Sequence, residues 1–552
     1  MKKLLQKFQQ ELSQLNPSPN GDCIESEFAI KRFQKKFQIP LEGNDHVLHM
    51  EAWDTFLSTD LGLNLPSRVD GLWYKVRRDL HSLDYRLPES IDFPKGSEFI
   101  ATRGANSLEA RLARSVWTVT HDCFDSFCDI VYSHKALKRA FRERYNRWYQ
   151  KQDFDMSRRS SEYFLWNNLK NPFDIFKWKL ARVCQFEHGS RFSTVPKNNT
   201  NRRPINIECF GNMVVQKRIG DCFRELVKEH YGNDLSILQD VHKTRLADDR
   251  ISTIDLKNAS DSINLDLVRF LFPKSIFKII CESRSEMILG PDGSYHYLKK
   301  VSSMGNGFTF ELMTLILTSL CRVLDPNSSV YGDDIIIDNS VAPRLIQALE
   351  DVGFQVNREK SFINSKFRES CGGNFHDDVG YIESYDFKWP ESIHDCITFY
   401  NKARNLSRYP FFMDIVTRLD KVIPSALRGP DSGFYRPLGL EVSNNRSDAL
   451  GGFFRQGSTD SLKKFSKERK EIATRYHYDT DSVVIHYGFR FTPSLRTPLL
   501  KGLIRKHHWA KYEMYLASGM VTKDTLSSTG RWDSIVLCTI EGRTSTLASL
   551  LL

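Results

Sequence analysis

Two adjacent aspartates, Asp333 and Asp334, follow a glycine in the segment SSVYGDDIIID. The aliphatic residues on both sides are typical of β-strands, and a Gly-Asp pair between two such runs indicates a tight hairpin turn. The sequence therefore predicts two carboxylates at or beside the tip of a hairpin, between apolar strands. Like charges side by side repel each other, and burial increases the repulsion. A bound metal ion would offset that cost.

A third carboxylate, Asp255, ends a short β-prone run in ISTIDLKNASDSINLDLVRFLFP. Polar residues and then apolar residues at helical spacing follow, so this segment predicts a strand, a turn and a helix. If the strand lies beside the hairpin, three carboxylates meet, and such a cluster suits Mg²⁺ or Mn²⁺. Two such ions ~3.5–4 Å apart serve in-line phosphoryl transfer. Taken alone, an aspartate at a strand end is usually a helix cap or turn former.

Cationic and glycine-rich segments accompany the aspartates. RFSTVPKNNTNRRPINIE predicts a hairpin that carries Lys197, Arg202 and Arg203 at its turn, which suits a nucleotide triphosphate; a solvated basic turn is the alternative. SSMGNGFTFELMTLILTSLCRVL predicts a loop that leads into an apolar helix near Phe310, where glycines either admit a ligand or simply make a turn. In DVGFQVNREKSF, Lys360 follows a strand-like run.

Composition limits the class of protein. The chain has 552 residues, of which 40% are hydrophobic, so it has material for a large core and several subdomains. The net charge of +10 permits a polyanionic partner without requiring one. The 11 cysteines form no C-x-x-C pair, so we interpret them as free thiols in a reducing compartment rather than zinc ligands. No run approaches the ~18 apolar residues of a membrane span, and we expect a cytosolic protein.

The ordered set of segments resembles the right-handed RNA-dependent RNA polymerases, and in detail the catalytic (beta) replicase subunit of small single-stranded RNA bacteriophages of the Q-beta, or leviviral, type. The matching stretches are TVPKN with Arg203, IDLKNASDSI, SSMGNGFTFEL, VYGDDII, GF-x-x-N-x-x-K ending at Lys360, and FRESCG. The two terminal regions match little. One departure lies in the basic hairpin, where Asn201 and Arg202 fill a spacer, so it stays open which cation meets which phosphate.

The resemblance implies an α+β fold with fingers, palm and thumb, in which the palm is an antiparallel sheet backed by helices. Residues 1–250 would form the N-terminal region and fingers, including the basic hairpin 191–208. Residues 251–375 would form the palm, with a fingers insertion at about 272–300. Residues 376–552 would form the thumb and C-terminal region.

Roles for individual residues are also implied. Asp255, Asp333 and Asp334 would be the catalytic metal ligands, with Asp334 the more peripheral. Lys360 resembles the general acid that protonates the leaving pyrophosphate, a role that suits an ammonium group near developing negative charge. The implied nucleotide-binding residues, for the triphosphate and then for the ribose and template, are Lys197, Arg202 and Arg203, followed by Asp261, Ser303, Asn306 and Thr309.

The implied activity is RNA-directed RNA synthesis that replicates a phage genome from ribonucleoside triphosphates in the cytoplasm of the bacterial host. The resemblance implies two Mg²⁺ ions, with Mn²⁺ as a substitute, and initiation without a primer. The implied partners are the RNA template and product, the host elongation factors Tu and Ts, and a large RNA-binding protein of the small ribosomal subunit. It implies no membrane partner.

Three alternatives predict different features. A reverse transcriptase usually has a bulky aromatic residue near the incoming sugar, whereas residues 257–260, just past Asp255, are Lys, Asn, Ala and Ser. A nucleotidyl cyclase or another palm-type transferase would not need Lys360 and FRESCG in this order. A catalytically silent RNA-binding scaffold would gain nothing from clustered carboxylates, because they repel a polyanion.

Overall fold

The computed structural model describes residues 2–15, 22–37, 45–89, 93, 97–100, 108–151, 171–197, 201–391, 393–423, 435–436, 439–440, 486–489 and 535–538. Much of the predicted thumb therefore lies outside the described residues. The chain forms two compact units, Glu42–Ile382 and a second made of Met1–Leu41 with Glu383–Leu552. The division into fingers, palm and thumb at residues 250 and 375 stays a prediction.

Helices make up most of the described chain. They are α1 (Lys2–Ser13), α2 (Ile24–Lys36), α3 (Asp45–Leu61), α4 (Gly71–Ser82), α5 (Leu108–Ala113), α6 (Phe124–Ser133), α7 (Lys135–Gln150), α8 (Pro172–Ala181), α9 (Phe210–Glu229), α10 (Leu238–Arg245), α11 (Leu265–Leu271), α12 (Lys274–Ser283), α13 (Thr309–Leu324), α14 (Ala342–Asp351), α15 (Ile393–Asn405) and α16 (Pro410–Asp420). A short 3₁₀ helix spans Ala259–Ser262. None of the described helices is both long and apolar enough to cross a membrane.

The strands are short. They are β1 (Trp117–Thr120), β2 (Cys184–Glu187), β3 (Gly189–Pro196), β4 (Arg202–Ile207), β5 (Ile251–Ile254), β6 (Leu256–Lys257), β7 (Met287–Leu289), β8 (Tyr295–Tyr297), β9 (Ser329–Tyr331), β10 (Asp334–Asp338), β11 (Gln355–Val356), β12 (Phe367–Ser370), β13 (Gly373–His376), β14 (Gly380–Tyr381), β15 (Tyr435–Arg436), β16 (Gly439–Leu440), β17 (His486–Phe489) and β18 (Ile535–Cys538).

The unit of Met1–Leu41 and Glu383–Leu552 has an aromatic core. In α1, Phe8 and Leu12 are buried and lie one helical turn apart. Phe8 meets Phe399 of α15 edge-on, with ring centroids 5.8 Å apart. Phe399 in turn lies 4.9 Å from Phe387. Edge-to-face rings of this kind stabilise a core beyond the area they bury.

A three-stranded antiparallel sheet in the order β5-β10-β9 lies at the centre of the unit Glu42–Ile382. The sequences ISTI and DIIID are rich in β-branched residues, and most of their side chains are buried. This fits strands covered on both faces. Helix α13 is apolar almost all round and contacts β9, as expected of a buried helix. The predicted α+β fold, with an antiparallel palm sheet backed by helices, is confirmed.

Two other sheets of this unit have three or four strands. β4, β3, β7 and β8 form a four-stranded sheet in that order, so the predicted basic hairpin pairs with strands from the predicted insertion 272–300. β12, β13 and β14 form an antiparallel sheet after the predicted Lys360 segment. The strand, turn and helix predicted from Ile251 onward are observed as β5, the 3₁₀ helix and α11.

Candidate active site

The hairpin β9–β10 carries the aspartate pair on a two-residue turn, because Tyr331 pairs with Asp334 across it. Gly332 has a φ of +63°, and a Cβ at this position would lie 2.6 Å from Cε2 of Phe310. Only glycine therefore fits both the backbone and the space. The N–H of Gly332 donates to Oγ1 of Thr314, at 3.1 Å. Helix α13 thus holds the turn on which Asp333 sits.

The register of β5 and β10 brings the third carboxylate to this turn. Ile335 pairs with Ile254, so Asp334 and Asp255 lie opposite each other one step further along. Directly opposed residues of antiparallel strands have side chains on the same face. Burial and the neighbouring carboxylates, Asp333 before Asp255, raise the pKa of Asp334 to about 6. The three predicted metal ligands therefore form one carboxylate group.

Asp255 is held by the segment that follows β11. Asn357 donates from Nδ2 to Oδ2 of Asp255 at 2.6 Å, and Nζ of Lys360 lies 4.0 Å from the same oxygen. The hydroxyl of Ser361 accepts from the N–H of Asp255 at 3.1 Å. Burial raises the pKa of Asp255, while the Lys360 ammonium and the Asn357 hydrogen bond oppose that rise. The structure thus places Lys360 beside Asp255, and its catalytic role stays a prediction.

The carboxylate group has the chemistry of a site for hard cations, because its donors are oxygens and carry excess negative charge. Within the described ranges, no group of three His, Cys, Asp or Glu side chains is gathered closely enough to hold a metal as it stands. Asp255 already accepts a hydrogen bond from Asn357. A metal bound through this oxygen of Asp255 would have to compete with that donor.

A second cluster surrounds Asp261, which is buried in the 3₁₀ helix. The hydroxyl of Ser303 donates to its Oδ1 at 2.8 Å, and Nζ of Lys300 lies 3.2 Å from the same oxygen. Thr309 donates from Oγ1 to the carbonyl of Ser303 at 3.0 Å. Burial lowers the pKa of Lys300, and the carboxylates of Asp261 and Asp60 oppose that effect. Asp261, Ser303 and Thr309 are therefore connected by hydrogen bonds, and their roles in nucleotide binding stay predictions.

The loop of residues 302–307 joins this cluster to the hairpin β3–β4. The N–H of Asn206 donates to the carbonyl of Met304 at 2.7 Å. Gly305 has a φ of +107°, and a Cβ there would lie 2.0 Å from the carbonyl oxygen of Asn206. Asn306 accepts from the N–H of Phe308 at 3.0 Å, so its side chain caps its own loop. Asn306 lies in the same loop as Ser303, and its side-chain carbonyl oxygen already accepts a hydrogen bond within that segment.

The structure separates the roles of the three predicted hairpin cations. Arg202 donates from Nε to Oγ1 of Thr194 at 2.6 Å and forms an ion pair with Asp45, so its side chain is only 14% exposed. Arg203 is exposed and makes no side-chain hydrogen bond or ion pair with any residue that the structure describes. Lys197 is exposed at the turn. Arg202 therefore ties β4 to α3, while Arg203 is the more available of these two adjacent arginines.

Sequence reasoning missed several residues at this site. Asn357 stands in the GF-x-x-N-x-x-K stretch, and that position was the available signal for its contact with Asp255. Lys300 lies three residues before Ser303, and nothing in its sequence context distinguishes it from a surface lysine. Cys371 lies in FRESCG, and burial followed by the charge of Asp334 raises the pKa of its thiol to about 12. His242 contacts Cys371 and lies outside every predicted motif.

Comparison with known proteins agrees with these motifs. Residues 173–443 match the family described as RNA replicase, beta-chain. The RNA-directed RNA polymerase subunit beta of Escherichia virus Qbeta is 37% identical over 238 residues, which are 41% of this chain and 39% of that protein. The RNA-directed RNA polymerase beta chain of Escherichia phage MS2 is 29% identical over 351 residues, which are 58% of this chain and 62% of that protein.

The extent of these matches is limited. The matched segment spans 39% and 37% of the lengths of the Qbeta protein and the corresponding subunit of Enterobacteria phage SP. Among solved structures, the RNA-dependent RNA polymerase from bacteriophage phi12 is similar over 76% of this chain and 76% of that chain, with a TM-score of 0.37 and 11% sequence identity.

Proposed function

We propose that this chain, whose residues 173–443 match the RNA replicase beta-chain family, is an RNA-directed RNA polymerase that replicates a single-stranded RNA phage genome in the bacterial cytoplasm. The observation that carries the proposal is the register of β5 and β10, which sets Asp255 opposite Asp334 beside Asp333. A catalytically silent RNA-binding protein would have no use for this repulsive group.

The proposed reaction is nucleotidyl transfer. The 3′-hydroxyl of the growing RNA attacks the α-phosphorus of a ribonucleoside triphosphate, and pyrophosphate leaves. Asp255 and Asp333, with Asp334 beside them, would hold two Mg²⁺ ions, which supply charge neutralisation for the attacking and leaving oxygens. Lys360 lies 4.0 Å from Asp255 and is exposed, so its ammonium is positioned to give a proton to the leaving pyrophosphate.

The decisive experiment supplies the purified chain, with and without bacterial lysate, with a single-stranded RNA template and labelled ribonucleotides, each with and without Mg²⁺. We expect template-dependent RNA that hybridises to the template, and we expect it without an added primer. Matched reactions contain deoxynucleotides or a DNA template. Product from deoxynucleotides at an equal rate would support the reverse-transcriptase alternative, and RNA binding without product under any condition would support the scaffold.

Host partners belong to the same proposal. Elongation factors Tu and Ts and the RNA-binding protein of the small ribosomal subunit are proposed from the resemblance, and the net charge of +10 is compatible with RNA as a further partner. The test repeats the polymerase reaction after cell-free synthesis of the chain in a system depleted of Tu and Ts. We expect little activity there, and restoration when both factors are present during synthesis. Full activity in the depleted system would exclude this dependence.

Asp261→Ala should weaken selection for ribonucleotides over deoxynucleotides about 10- to 100-fold, the value of a hydrogen bond to a charged group. Ser303 and Lys300 both contact Oδ1 of Asp261, which leaves Oδ2 for a ribose hydroxyl. The measurement compares kcat/KM for the two nucleotide types. Asp266→Ala, which removes an exposed carboxylate of α11, is the matched control.

Since Ala at this position removes one of the two carboxylates that act on the buried Lys300, Asp261→Asn is tested alongside, because it keeps an acceptor for Lys300. Unchanged selection in both variants would remove Asp261 from sugar recognition.

Arg203→Ala should raise the KM for nucleotides roughly tenfold, because it removes a charge-assisted contact to phosphate. The expected thermal stability is unchanged, since Arg203 is exposed and has no described partner in the fold. Arg202→Ala is the matched variant, and we expect the opposite pattern. It should lower Tm through the loss of the Asp45 and Thr194 contacts and change KM less. A KM effect confined to Arg202→Ala would reverse this assignment.

A further inference from the structure

Lys300 is completely buried, which is rare for a lysine because its charge loses the solvation that water provides. Its ammonium group has two neighbouring residues. Nζ donates to Oδ1 of Asp261 at 3.2 Å and to the carbonyl oxygen of Phe56 at 3.5 Å. It also lies over the Phe56 ring, 3.3 Å from the centroid. Lys300 therefore connects α3, which contains Phe56, to the aspartate predicted to recognise the ribose.

The carboxylate of Asp60, near the end of α3, holds the backbone at Lys300. Its Oδ2 accepts from the N–H of Lys299 at 3.0 Å, and its Oδ1 accepts from the N–H of Lys300 at 2.9 Å. Asp60 is buried, and hydrogen bonds to a charged acceptor are stronger than those between neutral groups. Helix α3 therefore holds Lys300 both at its backbone and at its ammonium group.

Helix α3 is packed against other elements of the same unit. Trp53 and Phe56 meet Phe192 of β3 edge-on, with ring centroids 4.8 Å and 5.4 Å away. The helix also contacts the 3₁₀ helix Ala259–Ser262. Helix α3 lies outside the residues that match the replicase family, which begin at 173. An element without a recognised motif thus sets the position of Lys300.

We propose that Lys300 is a positioning residue for ribose selection: its ammonium group, held by α3, fixes Oδ1 of Asp261 so that Oδ2 meets the 2′-hydroxyl of the incoming ribonucleotide. Ser303 donates to the same Oδ1 at 2.8 Å, so a rotation of the carboxylate would break two hydrogen bonds. Lys300 has no exposed surface and acts only through Asp261. The role in selection rests on the proposed polymerase function, whereas the contact between the two side chains does not.

The role in selection is tested on the purified full chain by the ratio of kcat/KM for ATP to that for 2′-deoxy-ATP on an RNA template. Lys300→Met fills most of the same buried space and has no donor. We expect the ratio to fall about tenfold, because only the ribonucleotide loses a well-placed acceptor. Lys299→Met, at the exposed neighbouring lysine, is the matched control and should leave the ratio unchanged. An equal loss for both nucleotides would reduce Lys300 to a residue of the fold and overturn the proposal.

A double variant tests whether Lys300 acts through Asp261. In an Asp261→Ala background, Lys300→Met should change the ratio no further, because the carboxylate that Lys300 fixes is absent. The same four proteins give a readout that needs no activity. Lys300→Met should lower Tm in the unmodified chain, and it should lower Tm less, or raise it, in the Asp261→Ala background, where it removes a buried charge that has lost a partner. A further tenfold fall in the ratio would contradict action through Asp261.

If Lys300→Met does not fold, Phe56→Leu decides. It removes the ring beneath the ammonium group and keeps both charges, and it should lower the ratio several-fold. Trp53→Leu removes a ring from the same helix and is the matched control for a general loss of stability. A ratio that is unchanged in Phe56→Leu, or that falls equally in both variants, would overturn the role of α3.

The two readouts separate this inference from the proposed function. If the unmodified chain makes no RNA, the proposed function fails and the role in selection fails with it, while the Tm cycle still decides whether Lys300 and Asp261 are coupled. If the chain makes RNA and selects ribonucleotides equally well in Lys300→Met, the proposed function stands and the positioning role is wrong.

Discussion

Asp333→Asn should lower nucleotide incorporation about a thousandfold or more and leave RNA binding intact. Asp333 sits on the glycine turn beside the opposed pair Asp255 and Asp334. Loss of one negative ligand from a two-ion site removes about 4 kcal/mol or more of transition-state stabilisation. The measurement is single-turnover incorporation on a primed RNA template at saturating nucleotide, with RNA affinity measured in parallel. Asp255→Asn should give a loss of the same order.

The fold should survive this change. Burial and the charge of Asp333 raise the pKa of Asp334 to about 6, so the folded state binds this proton more tightly than the unfolded state, where the pKa is about 4. The corresponding stability is present below about pH 4 and is lost as the pH rises through about 6. Asn at 333 removes the charge that helps to raise the pKa of Asp334. The Tm of this variant at neutral pH should therefore equal or exceed that of the unmodified chain. Its Tm should also fall less as the pH rises from about 4 to about 6.

Asp338→Asn is the matched control, because Asp338 lies at the far end of β10 and its carboxylate accepts from the N–H and the hydroxyl of Ser340. It should leave incorporation unchanged. A second readout is independent of activity: added Mn²⁺ should raise the Tm of the unmodified chain and raise that of Asp333→Asn much less, since binding to the folded state alone stabilises it. Near-normal incorporation by Asp333→Asn would end the assignment of these residues to the metals.

The sequence predicted the parts of this site that depend on local patterns. The glycine turn and the strands around Asp333 follow from residues that are neighbours in the chain. The strand, turn and helix after Ile251 could be predicted because a β-prone run is followed, within one segment, by apolar residues at helical spacing. The pairing of β5 with β10 was a hypothesis based on electrostatic repulsion. Three carboxylates can share one site only if a bound cation neutralises part of their charge.

Contacts between distant segments could not be predicted in the same way. Arg202 contacts Asp45, 157 residues earlier, and nothing in the basic hairpin indicates that one of its cations is used by the fold. His242 meets Ser370 across 128 residues and lies in a helix whose sequence, LQDVHKTR, is mostly polar. Lys300 is fully buried although lysine is rarely so. The role of each of these residues depends on partners that are distant in the sequence. Such contacts cannot be read from the spacing of apolar residues along the chain.

The difference in exposure between Arg202 and Arg203 could also be seen only in the structure. The resemblance implied phosphate contacts at Lys197 and Arg203 and left open which cation of the hairpin, Arg202 included, meets which phosphate. A side chain such as Arg202, which already has a carboxylate and a threonine as partners, is less available to a ligand. Exposure distinguishes Arg203 from Arg202 although they are adjacent, because successive residues of a strand point to opposite faces.

Lys360→Leu should slow incorporation about 100-fold, with a smaller effect on nucleotide affinity, because general acid catalysis contributes on this scale. Lys360 is exposed, and its Nζ lies 4.0 Å from Asp255, so it can reach a leaving group held at the carboxylates. Leucine keeps much of the length of the side chain and loses the proton. Lys360→Arg should rescue poorly, because a guanidinium group keeps its charge but scarcely releases a proton.

The measurement separates kcat from KM by single-turnover kinetics across pH. The Lys360 ammonium opposes the burial-driven rise in the pKa of Asp255, so in Lys360→Leu that pKa should rise further and move the acidic limb of the rate profile to higher pH. Lys366→Leu, at an exposed lysine paired with Asp378, is the matched control and should alter neither the rate nor the profile. If instead Lys360→Arg restores the rate, or if Lys360→Leu raises only KM, Lys360 acts as a phosphate contact and the proton comes from another group.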